Sequence, residues 1–150
     1  MSKTIAAALA LLLGLTGCSC LRALSGAPPF DPKHPKVYVV ESKDRKDKAI
    51  VVDQEPIYFF PEHGRKIEIR WVLETRGYKF DTALGISSIK PLFGPPDQVH
   101  SCRVDGKADD RAFVCVNENT AKGLYKYTIK VIATDGTGDP RPLDPSIAND

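Results

Sequence analysis

The chain has few of the side chains that metal and redox sites need. Its one methionine is Met1, and its three histidines, His34, His63 and His100, lie far apart in the sequence. No two of its four cysteines have the C-x-x-C spacing of redox motifs. A blue-copper centre needs two histidines, a cysteine and a weak axial ligand such as methionine. Because no histidine follows Cys115, the sequence predicts no such centre.

Motifs for hydrolysis, calcium binding and phosphate binding are absent as well. Ser87 and Ser88 lie in GISSIK, which is not a G-x-S-x-G nucleophile elbow. The acidic turn DGKADD does not have the D-x-D-x-D-G spacing of a calcium loop. GTGD near the C-terminus lacks the strand, loop and helix that surround a phosphate-binding loop. We therefore predict a protein that is not an enzyme and that holds no cofactor.

The charge pattern does not indicate nucleic acid as a partner. Charged residues make up 27% of the chain, and the formal net charge is only +2. Positive and negative side chains are interspersed, whereas a nucleic-acid-binding domain usually carries a basic stripe.

The N-terminus has the layout of an export signal. Lys3 precedes an apolar stretch of 11 residues, Ile5 to Leu15, which is followed by small residues. This length suits the ~7–15 residues of a signal-peptide core and is well short of the ~20 that cross a bilayer as a helix. No stretch after residue 36 is long and apolar enough to span a membrane.

The end of this segment, Leu15-Thr16-Gly17-Cys18, resembles the lipobox of bacterial lipoproteins. The resemblance implies that residues 1–17 are a lipoprotein signal peptide, that cleavage occurs before Cys18, and that this residue carries diacylglycerol on its thiol and an acyl group on its amine. Each buried CH₂ contributes about 0.8 kcal/mol, so several acyl chains give a firm anchor. The alternative is an ordinary secreted protein with a cysteine at its cleavage site.

The residues next to Cys18 indicate in which membrane the protein would be anchored. Ser19 replaces the aspartate that retains lipoproteins of this family at the inner membrane in some bacteria. The resemblance therefore implies a lipid-anchored protein of the cell envelope, at the outer membrane and facing the periplasm. Cys20 follows Gly17-Cys18-Ser19, which is a poor lipobox, so we do not expect it to be acylated.

Two downstream cysteines are predicted to form a disulfide. Cys102 and Cys115 lie in the strand-like runs QVHSCRV and RAFVCVN, on either side of the turn DGKADD. Antiparallel neighbours of this kind can bring two cysteines to bridging distance. Export to an oxidising compartment would let the bond persist. A loop of this size corresponds to about 3 kcal/mol of stabilisation.

The mature chain divides into three predicted regions. Residues 18–36 form a lipidated cysteine and a proline-rich spacer, because Pro28, Pro29, Pro32 and Pro35 keep the backbone extended. Residues 37–134 form one β-sandwich domain. Residues 135–150 are a turn-rich tail, and the sequence leaves open whether Leu143 and Ile147 pack back or the tail is disordered.

Alternating strands predict an all-β fold. In KIEIRWVLE and GLYKYTIKVIA, apolar and polar residues alternate with a period of two, which places one face of each strand on a core. Shorter β-branched runs occur at VYVV, AIVV and IYFF, and PLFGPPDQ is predicted as a loop. We predict an antiparallel Greek-key β-sandwich of immunoglobulin-like size. The Trp71 face of one sheet and the Tyr127 face of the other would fill its core.

The layout of residues 37–133 also resembles cupredoxin-like sandwiches. KIEIRWVLE would be the central strand, and FVCVN with GLYKYTIKV would be the region of the ligand loop. The resemblance implies copper, but that loop lacks its histidine and its methionine. The alternative function is therefore copper handling at a surface site made from His63 and His100.

The main functional prediction is a non-enzymatic binding or structural module, held at its membrane by the lipid anchor, with an envelope protein as its possible partner. Four aromatic side chains could either contact a partner or lie in the hydrophobic core, and we expect them in the core. They are Tyr58, Phe59, Phe60 and Tyr78. Of the three candidate functions, an envelope hydrolase is the one that the sequence favours least.

Overall fold

The computed structural model describes residues 30–41, 47–108 and 110–150. The predicted signal peptide, Cys18, Cys20 and most of the predicted spacer lie outside the described residues. The strands are β1 (Lys36–Glu41), β2 (Lys48–Val52), β3 (Ile57–Phe59), β4 (Ile67–Leu73), β5 (Tyr78–Phe80), β6 (Ile86–Phe93), β7 (Val99–Val104), β8 (Ala112–Asn117), β9 (Gly123–Ile129), β10 (Val131–Ala133) and β11 (Ser146–Asn149). A 3-10 turn, Pro61–His63, follows β3.

The strands form two packed sheets, so the predicted all-β sandwich is confirmed. One sheet has five strands in the order β2-β1-β4-β8-β7, and the other has four in the order β3-β11-β9-β6. A short β10-β5 pair completes the arrangement. Both main sheets are mixed, because β1 lies parallel to β4 and β3 lies parallel to β11.

The prediction of a wholly antiparallel sandwich is therefore wrong, and the Greek-key, immunoglobulin-like topology is not confirmed. Alternation along a strand tells which side chains are buried, and it is the same in parallel and antiparallel neighbours. The two parallel pairings instead join strands that are not consecutive in the chain, so they depend on contacts between distant segments.

The core lies between the two sheets, where the sequence predicts it. Ile69 and Trp71 of β4 are fully buried, and so is Ile129 of β9. The Trp71 indole N–H donates a hydrogen bond to the Tyr127 hydroxyl at 3.2 Å, and the two ring centroids lie 5.4 Å apart. Burial raises the pKa of the Tyr127 hydroxyl far above its usual range. This contact satisfies two polar groups inside the core and joins the two faces predicted to fill it.

The C-terminal segment is an inner strand of the four-stranded sheet. Ile147 of β11 is fully buried and lies opposite Ile57 of β3 and Tyr125 of β9. The buried side chains of Asn117 and Asn149 exchange two hydrogen bonds of 2.9 and 3.0 Å. The β-structure therefore continues past the boundary expected at residue 134, and the tail is not merely turn-rich. A four-residue strand with one isoleucine is too short for its periodicity to be recognised.

The last residues of the predicted spacer join the domain. The backbone N–H groups of Arg70 and Val72 in β4 donate to the carbonyls of Lys33 and Pro35 at 2.8 and 3.0 Å. Proline has no N–H, but its carbonyl still accepts a hydrogen bond from a neighbouring strand. The side chain of Gln54 also donates to the Asp31 carbonyl at 2.8 Å. The described chain is therefore attached to the sandwich from residue 31 onward.

The predicted disulfide between Cys102 and Cys115 is confirmed. The two residues lie on the antiparallel neighbours β7 and β8, with their Cα atoms 4.1 Å apart. The β7 register shifts between His100 and Arg103, and Ser101 within this bulge has a φ of 53°. Cys115 is fully buried, so the bond fastens the edge strand β7 to the core.

Candidate functional site

The outer face of the four-stranded sheet carries exposed aromatic side chains. Tyr58 is 53% exposed and Phe93 is 59% exposed, while Phe60, just after β3, is 41% exposed. The outward orientation of Tyr58 follows from strand alternation, because Ile57 and Phe59 on either side of it are fully buried and point into the core. We call this outer surface the aromatic face.

The aromatic face is continuous across all four strands of the sheet. Tyr58 of β3 lies opposite Ala148 of β11, which in turn lies opposite Leu124 of β9. Leu124 then lies opposite Phe93 of β6. Neighbours in register are close enough for their side chains to interact. Four residues far apart in sequence therefore form one apolar row.

A groove of about 390 Å³ crosses this row, and we call it the face groove. Ala148, Leu124 and Gly123 line it together with the aromatic rings of Tyr58 and Phe93. The small side chain of Ala148 lies between the larger side chains of Tyr58 and Leu124. The groove is thus mostly apolar and open to solvent along the sheet.

A second groove of about 450 Å³ runs along the edge of the sheet, outside β3, and is called the edge groove. Phe30, Pro32 and His63 line it, and so do Tyr58 and Phe60, which it shares with the face groove. The Tyr58 and Phe60 rings are nearly parallel, at 13°, with centroids 6.4 Å apart. These two rings form an aromatic ridge between the grooves.

The carboxylates and the imidazole of the edge groove accept structural hydrogen bonds. Asp53 accepts the Lys36 backbone N–H at 2.8 Å, and Glu55 accepts the hydroxyl of Ser146 at 2.8 Å. The His63 Nδ1 accepts the Phe60 backbone N–H at 2.9 Å, which leaves the proton of the neutral ring on Nε2. These groups shape the groove, and their bonds do not form a relay between an acid and a base.

The structure does not assemble His63 and His100 with other metal ligands. The His63 ring packs against Phe60, with centroids 5.7 Å apart. On β7, His100 instead contacts the Ser101 hydroxyl at 2.8 Å and the Glu118 carboxylate at 3.0 Å, outside both grooves. Within the described residues, no group of three or more histidine, cysteine, aspartate or glutamate side chains could hold a metal ion.

The sequence prediction for the aromatics is right in part. Phe59 is in the core and Tyr78 packs partly buried against it, as expected. Tyr58 and Phe60 are exposed, so the expectation of core is wrong for them. The run IYFF is apolar at every position, which hides the alternation of a three-residue strand.

Sequence analysis did not identify Phe93 as part of this surface. It lies in PLFGPPDQ, which was predicted as a loop from its prolines, whereas β6 continues through Pro91 to Phe93. Proline is tolerated there because β6 is an edge strand of its sheet. Leu92 and Phe93 directly after Pro91 are the sequence signal that the strand continues past the proline.

No protein-family model matches the chain, and no curated protein matches it either. Across the described ranges, none of the helical structure is long and apolar enough to cross a membrane. Function is therefore inferred from the residues and their geometry.

Proposed function

We propose that this chain is a lipid-anchored protein of the bacterial cell envelope and that its sandwich is a non-enzymatic binding module. The anchor would be acyl chains on Cys18, as the lipobox-like sequence before it indicates. The bond between Cys102 and Cys115 supports export, because disulfides persist in oxidising compartments. Ser19 favours the outer membrane, with the domain in the periplasm.

The observation that carries the binding function is the aromatic face. Three exposed aromatic rings, Tyr58, Phe60 and Phe93, line one apolar groove between them. Removing apolar surface from water contributes about 25 cal/mol per Å², and contiguous apolar patches typically mark interaction sites. Tyrosine and phenylalanine are also enriched where proteins make contacts. The polar groups nearby are already bonded within the domain, which favours binding over catalysis.

The anchor is tested by comparing two cysteine variants in cells. Cys18→Ser should abolish acylation, and the protein should no longer appear as a mature, acylated form in the membrane fraction. Cys20→Ser is the matched control and should leave acylation and fractionation unchanged. Mass spectrometry of the mature N-terminus reports the result directly. A mature chain that begins elsewhere, or that carries no acyl mass on Cys18, would contradict the proposal.

The binding surface is tested by photo-crosslinking in cells. A benzoylphenylalanine at Phe93 or Tyr58 should form adducts, because these rings would contact whatever the module binds. The same group at Val51 is the control, since that side chain is similarly exposed but lies on the outer face of the five-stranded sheet. Adducts in equal yield at all three positions, or at none, would show that the aromatic face is not the binding surface.

A further inference from the structure

We infer that the aromatic face lies against the lipid surface that holds the anchor. This inference rests on the proposed function, because it requires acyl chains on Cys18. The domain would then sit with its four-stranded sheet on the bilayer and its five-stranded sheet turned away from it. Three observations support this orientation: the point where the chain joins the domain, the aromatic residues and the lysines beside them.

The chain joins the domain beside the aromatic ridge. Phe30 is the first described residue, is 68% exposed, and lines the edge groove with Tyr58 and Phe60. Eleven residues lie between it and Cys18, and a fully extended chain joining the two spans at most about 43 Å. A short tether of this kind keeps the attached side of the domain at a high effective concentration near the bilayer.

The side chains of this surface suit the boundary between water and lipid. Phe93 of β6 is 59% exposed, and Leu124 of β9 lies opposite it in register on the same face. The Tyr58 ring is apolar but ends in a hydroxyl, as do the tyrosines that concentrate at membrane interfaces. Phenylalanine and leucine on one face, with lysine nearby, are typical of surfaces that lie in the interface plane.

Two lysines lie next to the apolar row on the same sheet. Lys90 of β6 and Lys126 of β9 are opposite each other in register, and both are exposed. Among the described residues, neither ammonium has a carboxylate within 4.0 Å. Asp144 lies beside them, where its carboxylate accepts the Thr128 hydroxyl at 2.7 Å and its backbone carbonyl accepts the Lys126 ammonium at 3.4 Å. Each lysine can therefore meet an anionic headgroup.

The orientation is tested with the full lipidated protein in vesicles of phosphatidylcholine and phosphatidylglycerol that carry brominated acyl chains. Bromine quenches tryptophan only at short range. A tryptophan is introduced by Phe93→Trp on the aromatic face, or by Val51→Trp on the opposite sheet as the matched control. Both positions are exposed, so neither change disturbs the core. The buried Trp71 contributes the same background to both proteins.

The expected result is strong quenching at position 93 and none at position 51. Adding Lys90→Gln and Lys126→Gln should lower the fraction of domains in contact with lipid, by about fivefold per lysine, and only in vesicles that contain phosphatidylglycerol. Adding Tyr58→Ala should weaken contact by up to about tenfold, through lost apolar burial.

Three outcomes would overturn the inference. Protein that floats with the vesicles while position 93 stays unquenched would show that the anchor is right and the orientation wrong. If crosslinks at Phe93 in cells then yield a protein adduct, the aromatic face binds a protein partner and the proposed function stands without this inference. Protein that does not float at all would remove the proposed anchor, and the orientation with it.

Discussion

We expect Ile147→Ala to destabilise the whole domain. Ile147 is fully buried near the C-terminus, between Ile57 of β3 and Tyr125 of β9. Replacing a buried isoleucine by alanine removes apolar burial and leaves a cavity, at a cost of about 2 to 5 kcal/mol. Because β3 is an edge strand that pairs with β11 in its sheet, the change also loosens the strand that carries Tyr58. The expected loss is about 3 kcal/mol, a large share of the about 5 to 15 kcal/mol typical of a domain.

The assay is urea unfolding of the purified protein, followed by the emission of Trp71. This tryptophan is the only one in the chain and is fully buried, so its emission reports the packing between the two sheets. With an m-value of about 2 kcal/mol/M, the unfolding midpoint should fall by about 1.5 M. Leu92→Ala is the matched control. It also truncates a large aliphatic side chain, but at a position that is 60% exposed, and should change stability by less than about 0.5 kcal/mol.

Equal midpoints for the two variants would refute this reasoning. The C-terminal segment would then not be packed in solution, and β3 would have lost the strand that holds it in the sheet. The aromatic face would have no fixed geometry in that case, since Ala148 of β11 lies between Tyr58 and Leu124.

Three further results are expected, each from one contact. Changing both Cys102 and Cys115 to alanine should lower the free energy of unfolding by about 3 kcal/mol, and reduction of the wild-type protein should reproduce this loss in urea titrations. Tyr127→Phe removes the acceptor of the buried indole N–H and should cost about 1 to 3 kcal/mol in thermal or urea unfolding. The hydrogen bond from the Lys130 ammonium, 2.9 Å away, holds the pKa of Asp81 below its usual range. Its stabilisation is therefore complete above the unfolded pKa near 4 and is lost as the pH falls through the lowered folded pKa. Asp81→Asn should accordingly make stability less dependent on pH in acid, and an unchanged profile would contradict this assignment.

Much of the core could be predicted from local pattern alone. In KIEIRWVLE and GLYKYTIKVIA the alternation extends over enough residues to identify the buried face, and Trp71 and Tyr127 meet as expected. The disulfide was predictable for a similar reason. Its two strands are joined by a short polar turn, so their pairing is a local event.

The candidate site was much less predictable. Tyr58 lies in a run that is apolar at every position, so no alternation marks it as exposed. Phe93 lies among prolines that favour a loop in sequence, yet it ends an edge strand. Neither residue indicates a surface by itself. The surface exists because β11 and β9 lie between them in the sheet.

By itself, the sequence determined the β class of the domain, the two core faces, the disulfide and the prediction of an anchor at Cys18. Those features depend on neighbouring residues or on strands joined by a short turn. Only the tertiary structure decided that β1 and β3 have parallel neighbours, that the C-terminal strand completes the second sheet, and that Tyr58 and Phe93 share one face. These features depend on the pairing of segments far apart in the chain. Side-chain periodicity does not encode that pairing, because a strand with one buried face can keep that face on the core beside many different neighbouring strands.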